Sequence, residues 1–166
     1  MFLKHAFAVI VLATTSLSAQ ANFFEYQLKN LRNSNQTDSI LNTNKVGAIA
    51  MIFQPDCPWC KKQSATMAQL QKKCGNILNI SVIGTKGSTM QLKRELRHFD
   101  DSLNAFSADT TFLRLAGGFQ ASPTTLFFDQ KGELLLKQRG YINPEKLNAA
   151  AQAISGNICN ATAKIY

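Results

Sequence analysis

Cys57-Pro58-Trp59-Cys60 is the segment of the chain best suited to chemistry. Two cysteines separated by two residues lie one helical turn apart, close enough to form and break a disulfide with each other. The apolar run Val46–Phe53 just before them predicts a central buried strand, and the pattern after them predicts a helix from Cys57 to about Lys73. A helix N-terminus offers unpaired N–H groups and the positive end of the peptide dipole, and both stabilise a thiolate at the first cysteine. Cys57 is therefore the expected exposed nucleophile. Cys60, one turn on and more buried, would attack the mixed disulfide and release the product. Pro58 fits the first turn at no hydrogen-bonding cost, and Trp59 offers an apolar lip for a substrate polypeptide. Lys61 and Lys62 add positive charge nearby, and Asp56 is expected to cap the helix.

The same cysteines admit other uses. With Cys74 and Cys159 the pair would make a four-thiolate zinc site, but the spacing lacks a second close pair. An inert structural disulfide and a peroxide-reducing site are the remaining alternatives. Strand-to-helix placement is unusual for an inert disulfide, and the resolving arrangement fits dithiol exchange better than peroxide reduction. Such exchange requires no bound cofactor and no metal, because the electrons travel on the sulfur atoms.

A second element is Ser122-Pro123-Thr124, where a proline stands immediately before an apolar β-run. A lone proline is more often an ordinary trans turn. Beside the Cys-x-x-Cys pair and the strand order, a cis bond at Pro123 is the expected reading.

The elements that must position these groups follow from the rest of the pattern. At 166 residues, 45% hydrophobic and 17% charged, the chain suits one folded domain and excludes a disordered or disulfide-built miniprotein. Phe24, Leu28 and Leu31 fall at helical spacing and predict a short amphipathic helix, followed by a polar connector over Asn33–Asn44. Ile77–Ile83 predicts a strand and Leu92, Leu96 and Phe99 a helix. A short helix is expected at Thr110–Ala116, stopped by Gly117-Gly118. Thr124–Phe128 and Glu133–Arg139 predict a hairpin, and Asn143-Pro144 opens a last helix. The order βαβα(α)ββα describes an α/β fold with a central mixed β-sheet flanked by helices.

Residues 1–21 are read as a cleaved signal peptide: Lys4, then the apolar run Ala6–Ala13, then Ala19-Gln20-Ala21 ahead of a cut before Asn22. Eight apolar residues are too few to span a bilayer, which needs about 20. Export to a periplasm is the expectation, and the terminal Ala163-Lys164-Ile165-Tyr166 is not an endoplasmic-reticulum retention signal. The formal charge is +8, and much of the excess lies between Lys61 and Arg97, scattered over two predicted helices rather than forming one run and with no aromatic interleaving. A solvated basic face accounts for it better than a nucleic-acid surface, so no nucleic-acid partner is expected. His98 stands on a polar helix and His5 within the leader, so no Ser-His-Asp set is available.

From Val46 to Ile154 the chain resembles the thioredoxin superfamily, in particular the exported TlpA/DsbE-like thiol-disulfide oxidoreductases. The resemblance is carried by the strand, CPWC and helix, by the inserted helical stretch, and by GGFQASPTTLFFDQKGELLLKQRGY. It implies a thioredoxin-like domain over 45–160, preceded by a helix and connector over 22–44 and followed by a tail over 161–166. It implies that Cys57 and Cys60 are the redox pair, and that Pro123 is cis and lies opposite Cys57. Ser122 would then pair its backbone N–H and C=O with an extended substrate segment. Cysteine-containing extracytoplasmic proteins and a membrane redox partner are the implied partners. In the thioredoxin arrangement the helices ending near Cys74 and Cys159 share one face of the sheet, so these two are expected to form a structural disulfide, with a second shuttle pair as the alternative.

Two departures bear on the direction of electron flow. Thioredoxin's buried Asp six residues before its first cysteine is Met51 here, and the histidine of DsbA between the cysteines is Trp59. A reductase is the preferred reading. A DsbA-like oxidase, a TrbB-like isomerase and a non-enzymatic binding module on the same scaffold remain open.

Overall fold

All seven residues of the strand Gly47–Phe53 are buried, as an apolar run without a polar face requires. Its side chains alternate between two cores. Ile49, Met51 and Phe53 enter one, while Ala48, Ala50 and Ile52 enter the other. The arrangement comes from a computed structural model, which describes residues 23–161 apart from Glu25, Ser34, Asn42 and Thr43. The expected signal peptide over 1–21 and all of the expected tail but Ala161 lie outside the described residues.

In chain order the strands are β1 (Gln27–Asn30), β2 (Thr37–Ser39), β3 (Gly47–Phe53), β4 (Leu78–Gly84), β5 (Asn104–Ser107), β6 (Thr124–Asp129) and β7 (Leu134–Arg139). The helices are α1 (Pro58–Cys74), α2 (Thr89–Glu95), α3 (Thr110–Leu115), α4 (Pro144–Ile154) and α5 (Ile158–Ala161), with a 3-10 turn at Leu96–His98 after α2. One seven-stranded mixed sheet runs β2-β1-β5-β4-β3-β6-β7. β3 pairs parallel with β4 and antiparallel with β6, which is the mixed sheet expected from the element order and the arrangement that the thioredoxin resemblance implies.

The helix expected around Phe24, Leu28 and Leu31 does not form; the segment is strand β1, antiparallel to both β2 and β5. A helix would have put Leu28 and Leu31 on one face. The structure sends them to opposite sides of the sheet, Leu28 into the core with Phe112 and Phe128 and Leu31 into the core with Cys57 and Cys60. The helical spacing was coincidental, and an open edge of β5 supplies backbone partners that a short isolated helix would lack. The polar connector likewise contributes β2, so Gln27–Asn30 and Thr37–Ser39 both belong to the sheet.

β5 and α5 had no counterpart in the sequence reading. The run Asn104–Ser107 is too short and mixed to show periodicity, and it is a strand because Ser81–Gly84 offers a parallel partner. Elsewhere the local chemistry is as the residues suggest. Ser88 and Gln91 form a reciprocal capping box on α2. The Asn143 side chain accepts from Lys146 N–H with Pro144 opening α4. The β6–β7 turn is closed by Asp129 Oδ1, which accepts from the N–H groups of Lys131 and Glu133 at 2.9 and 2.8 Å.

Candidate functional site

The chain leaves β3 through Gln54-Pro55-Asp56. Asp56 adopts a left-handed backbone with φ 57°, and α1 starts two residues later. The expected capping role of Asp56 is a correction: the N-cap is Cys57 itself, whose Sγ accepts the Cys60 N–H at 3.2 Å. The left-handed turn at Asp56 delivers Cys57, and not the carboxylate, to the position where a side chain meets the free N–H groups of the first turn. The first turn holds no acidic residue, so a thiolate on Cys57 would meet the dipole end and that N–H without a competing charge on its own helix.

Cys57 and Cys60 form a disulfide with Cα atoms 5.3 Å apart. Cys57 is 6% exposed and Cys60 0%. Cys57, expected to be exposed, is nearly covered in this structure, and Cys60 is fully buried beneath the same surface. Trp59 is 55% exposed, leaning on Tyr141 with ring centroids 5.6 Å apart. The Lys62 ammonium lies 5.4 Å from the Trp59 ring centroid and 4.8 Å from that of Tyr141, a cation–π arrangement that holds the two rings together. Gln63, fully buried on α1, accepts the Ile142 N–H at 2.7 Å and so fixes the segment that carries Tyr141.

The Ser122–Pro123 bond is cis. The Ser122 side chain carries the contact to the redox pair: its Oγ lies 3.0 Å from Cys60 Sγ and accepts the Gln54 N–H at 3.2 Å. A disulfide sulfur has no proton to give, so in the oxidised pair the serine hydroxyl is the donor. Sequence reasoning placed Ser122 in substrate contact through its backbone and missed this hydroxyl. The signal was its type, since only a small hydroxyl-bearing side chain can bridge a sulfur and a strand end at this range.

Lys137 supports the loop from behind. Its ammonium donates to the carbonyls of Ala116 and Gly117 at 2.8 and 2.9 Å and to that of Gly118, the C-cap of α3 and the two glycines after it. Burial, and then the charge of Arg139, push its pKa below the ordinary lysine value. Gly117 and Gly118 take φ of 74° and 78° there, which makes them the helix stop the sequence suggested and not a phosphate loop.

With the hydroxyl removed, Ser122→Ala is expected to leave the fold intact while the Cys60 sulfur loses its hydrogen-bond partner. Resolution of a mixed disulfide should slow roughly ten-fold, the scale of one hydrogen bond to a charged group. Rapid-quench trapping of the mixed disulfide measures it; an unchanged rate would mean the hydroxyl only ties Gln54.

Glu95 was not singled out by sequence and sits beside the motif. Its side chain is nearly buried, with Oε2 accepting the Asp56 N–H at 3.3 Å and Oε1 3.5 Å from the Lys61 ammonium. The available signal was its place on the apolar stripe of α2, three residues after buried Leu92. Far from the motif, Cys74 at the end of α1 bonds Cys159 in α5. The four cysteines are thus arranged as two separate pairs, not as one four-thiolate cluster. Among the described residues no group of three or more His, Cys, Asp or Glu is placed to hold a metal, and no helix is long and apolar enough to cross a membrane.

A family model described as a thioredoxin-like domain matches residues 34–155. Among solved structures, a thiol:disulfide interchange protein of the thioredoxin family from Chlorobium tepidum aligns at 15% identity and TM-score 0.70, covering 82% of this chain and 97% of its own. A secreted Mycobacterium tuberculosis disulfide oxidoreductase homologous to E. coli DsbE aligns at 12% identity and TM-score 0.65, covering 78% and 96%. A DsbF homologue from Corynebacterium diphtheriae aligns at 11% identity and TM-score 0.67, covering 90% and 99%. At these identities the likeness is one of fold. No curated protein matches the chain in sequence.

Proposed function

The chain belongs to the thioredoxin-like family, and we propose on that premise that it is an exported thiol-disulfide oxidoreductase working through Cys57 and Cys60, in the reducing direction. One observation carries the thiol-exchange reading: Cys57 is the N-cap of α1 with its sulfur on the Cys60 N–H, the position at which a helix most favours a thiolate. The reducing direction rests instead on the TlpA/DsbE resemblance.

In the reduced protein the Cys57 thiolate attacks one sulfur of a substrate disulfide. A mixed disulfide forms, and the other substrate sulfur leaves as a thiolate and takes a proton. Cys60, beneath it, loses its proton and attacks Cys57 Sγ, releasing the second substrate thiol and leaving the Cys57–Cys60 disulfide. Two electrons pass from the dithiol to the substrate. Ser122 donates to the Cys60 sulfur as its charge develops, and the N–H and C=O of Ser122 ahead of cis Pro123 pair with an extended substrate segment. Trp59 gives that segment an apolar edge. The substrates are cysteine-containing extracytoplasmic proteins, and a membrane-held dithiol donor restores the reduced form.

Export rests on the basic, apolar and small-residue pattern of residues 1–21. The Cys74–Cys159 bond agrees with an oxidising compartment. Two of the aligned proteins are named for disulfide interchange or as a secreted disulfide oxidoreductase, which supports the same reading.

Equilibration of the protein with glutathione tests the direction. A reductase should poise near thioredoxin, about −270 mV, whereas a value near DsbA, about −120 mV, would make it a disulfide donor.

A further inference from the structure

Glu95 is a buried carboxylate, 5% exposed as a residue, with two partners, and both belong to the redox motif's flanks. Oε2 takes the N–H of Asp56, the left-handed residue directly before Cys57, and Oε1 faces the ammonium of Lys61, directly after Cys60. The cysteines share one buried cluster with Leu92 and Leu96, which bracket Glu95 in the chain. A charge placed there is poorly screened. Lys61, with its side chain 40% exposed against 6% for Glu95, keeps its charge in water, so the pair is lopsided and its negative member is the one felt inside.

We propose that Glu95 is a positioning residue of the dithiol: it holds the Asp56 turn that sets Cys57 on the helix end, and its charge, partly offset by Lys61, opposes negative charge on Cys57. The helix N-terminus draws the thiolate one way and Glu95 draws it the other. Because the reduced form of such a pair is favoured by thiolate stability, Glu95 biases the pair toward the reducing end of its range. The other charged side chains on the surrounding elements are exposed: Asp56 in the turn, Lys62 on α1 over the Trp59 and Tyr141 rings, Lys86 after β4, Lys93 and Arg94 on α2, and Arg97 and His98 in the 3-10 turn. None of these is buried as Glu95 is. The inference rests on the reading that Cys57 is the attacking thiol.

Glu95→Gln keeps an oxygen for the Asp56 N–H and deletes the charge, and Lys61→Gln deletes the partner. Reduced wild type and both variants are titrated by ultraviolet thiolate absorbance and equilibrated with glutathione. Glu95→Gln should form thiolate about half a pH unit or more lower, roughly a three-fold larger thiolate fraction below the midpoint, and should become more oxidising. Lys61→Gln should move both readings the opposite way. A residue that only staples α2 to the turn would lower the melting temperature in Glu95→Ala and leave the Glu95→Gln titration at the wild-type position. That result, or a shift of Glu95→Gln to higher pH, overturns the proposal. Should Glu95→Gln not fold, an unmoved titration in Lys61→Gln overturns it instead. A wild-type pair that does not exchange with glutathione would sink the exchange reading itself, whereas normal exchange with unmoved variants sinks this proposal alone.

Discussion

Cys57→Ser is expected to abolish disulfide exchange, lowering reduction of a model substrate such as insulin at least about a thousand-fold, the scale on which losing a covalent nucleophile acts. A serine hydroxyl at the N-cap still accepts the Cys60 N–H, so the helix keeps its cap and the variant should fold. What it lacks is a thiol, the group that can form a nucleophilic thiolate and a disulfide. Cys60→Ser should behave differently. Cys57 can still attack once, but nothing beneath it resolves the product, and covalent mixed disulfides with substrate should accumulate on non-reducing gels. The contrast between the two variants separates attacker from resolver. Equal trapping by both would mean that the buried sulfur is as reactive as the N-cap sulfur. An unchanged cellular phenotype for Cys57→Ser would leave a binding module as the better account of the scaffold.

The second large effect is on stability. Removing the Cys74–Cys159 bond with a double alanine variant is expected to cost about 4–5 kcal/mol, because the link spans 85 residues of chain and the entropy of closing so long a loop is large in the unfolded state. For a domain of this size that is a fall in thermal midpoint of roughly 10–20 °C. Both sulfurs are buried, at the end of α1 and in α5, so the bond ties the far end of the active-site helix to the C-terminal part of the fold. Below the new midpoint, exchange through Cys57 should proceed at the wild-type rate. Thermal unfolding with and without the bond, beside an exchange assay at low temperature, measures both halves. A midpoint that stays put while exchange slows would mark the pair as a second electron shuttle rather than a brace.

Much of this protein is legible in local pattern. A short unbroken apolar run closed by a turn signal fits a strand covered on both faces, so β3 is legible in Val46–Phe53 and the Gln54-Pro55 that follows. A Cys-x-x-Cys pair after such a strand falls on a helix end, and Asn143-Pro144 opens α4 by its own chemistry. These features depend on residues within a few positions of each other, and the forces that decide them act over that range. The misread elements are those whose partners are remote. Leu28 and Leu31 fit a helix as well as a strand until β5 stands beside them, and β5 is itself a strand only because β4 offers its edge.

The active site divides in the same way. Which sulfur caps α1 and which lies one turn further in follows from position on the helix alone. What surrounds them does not: Ser122 reaches Cys60 across 62 positions and Glu95 reaches Asp56 across 39. The residues that tune the dithiol are thus brought to it by sheet order and helix packing. A hydroxyl or a carboxylate acts on a thiol through distance and burial, and neither quantity exists until the chain has folded.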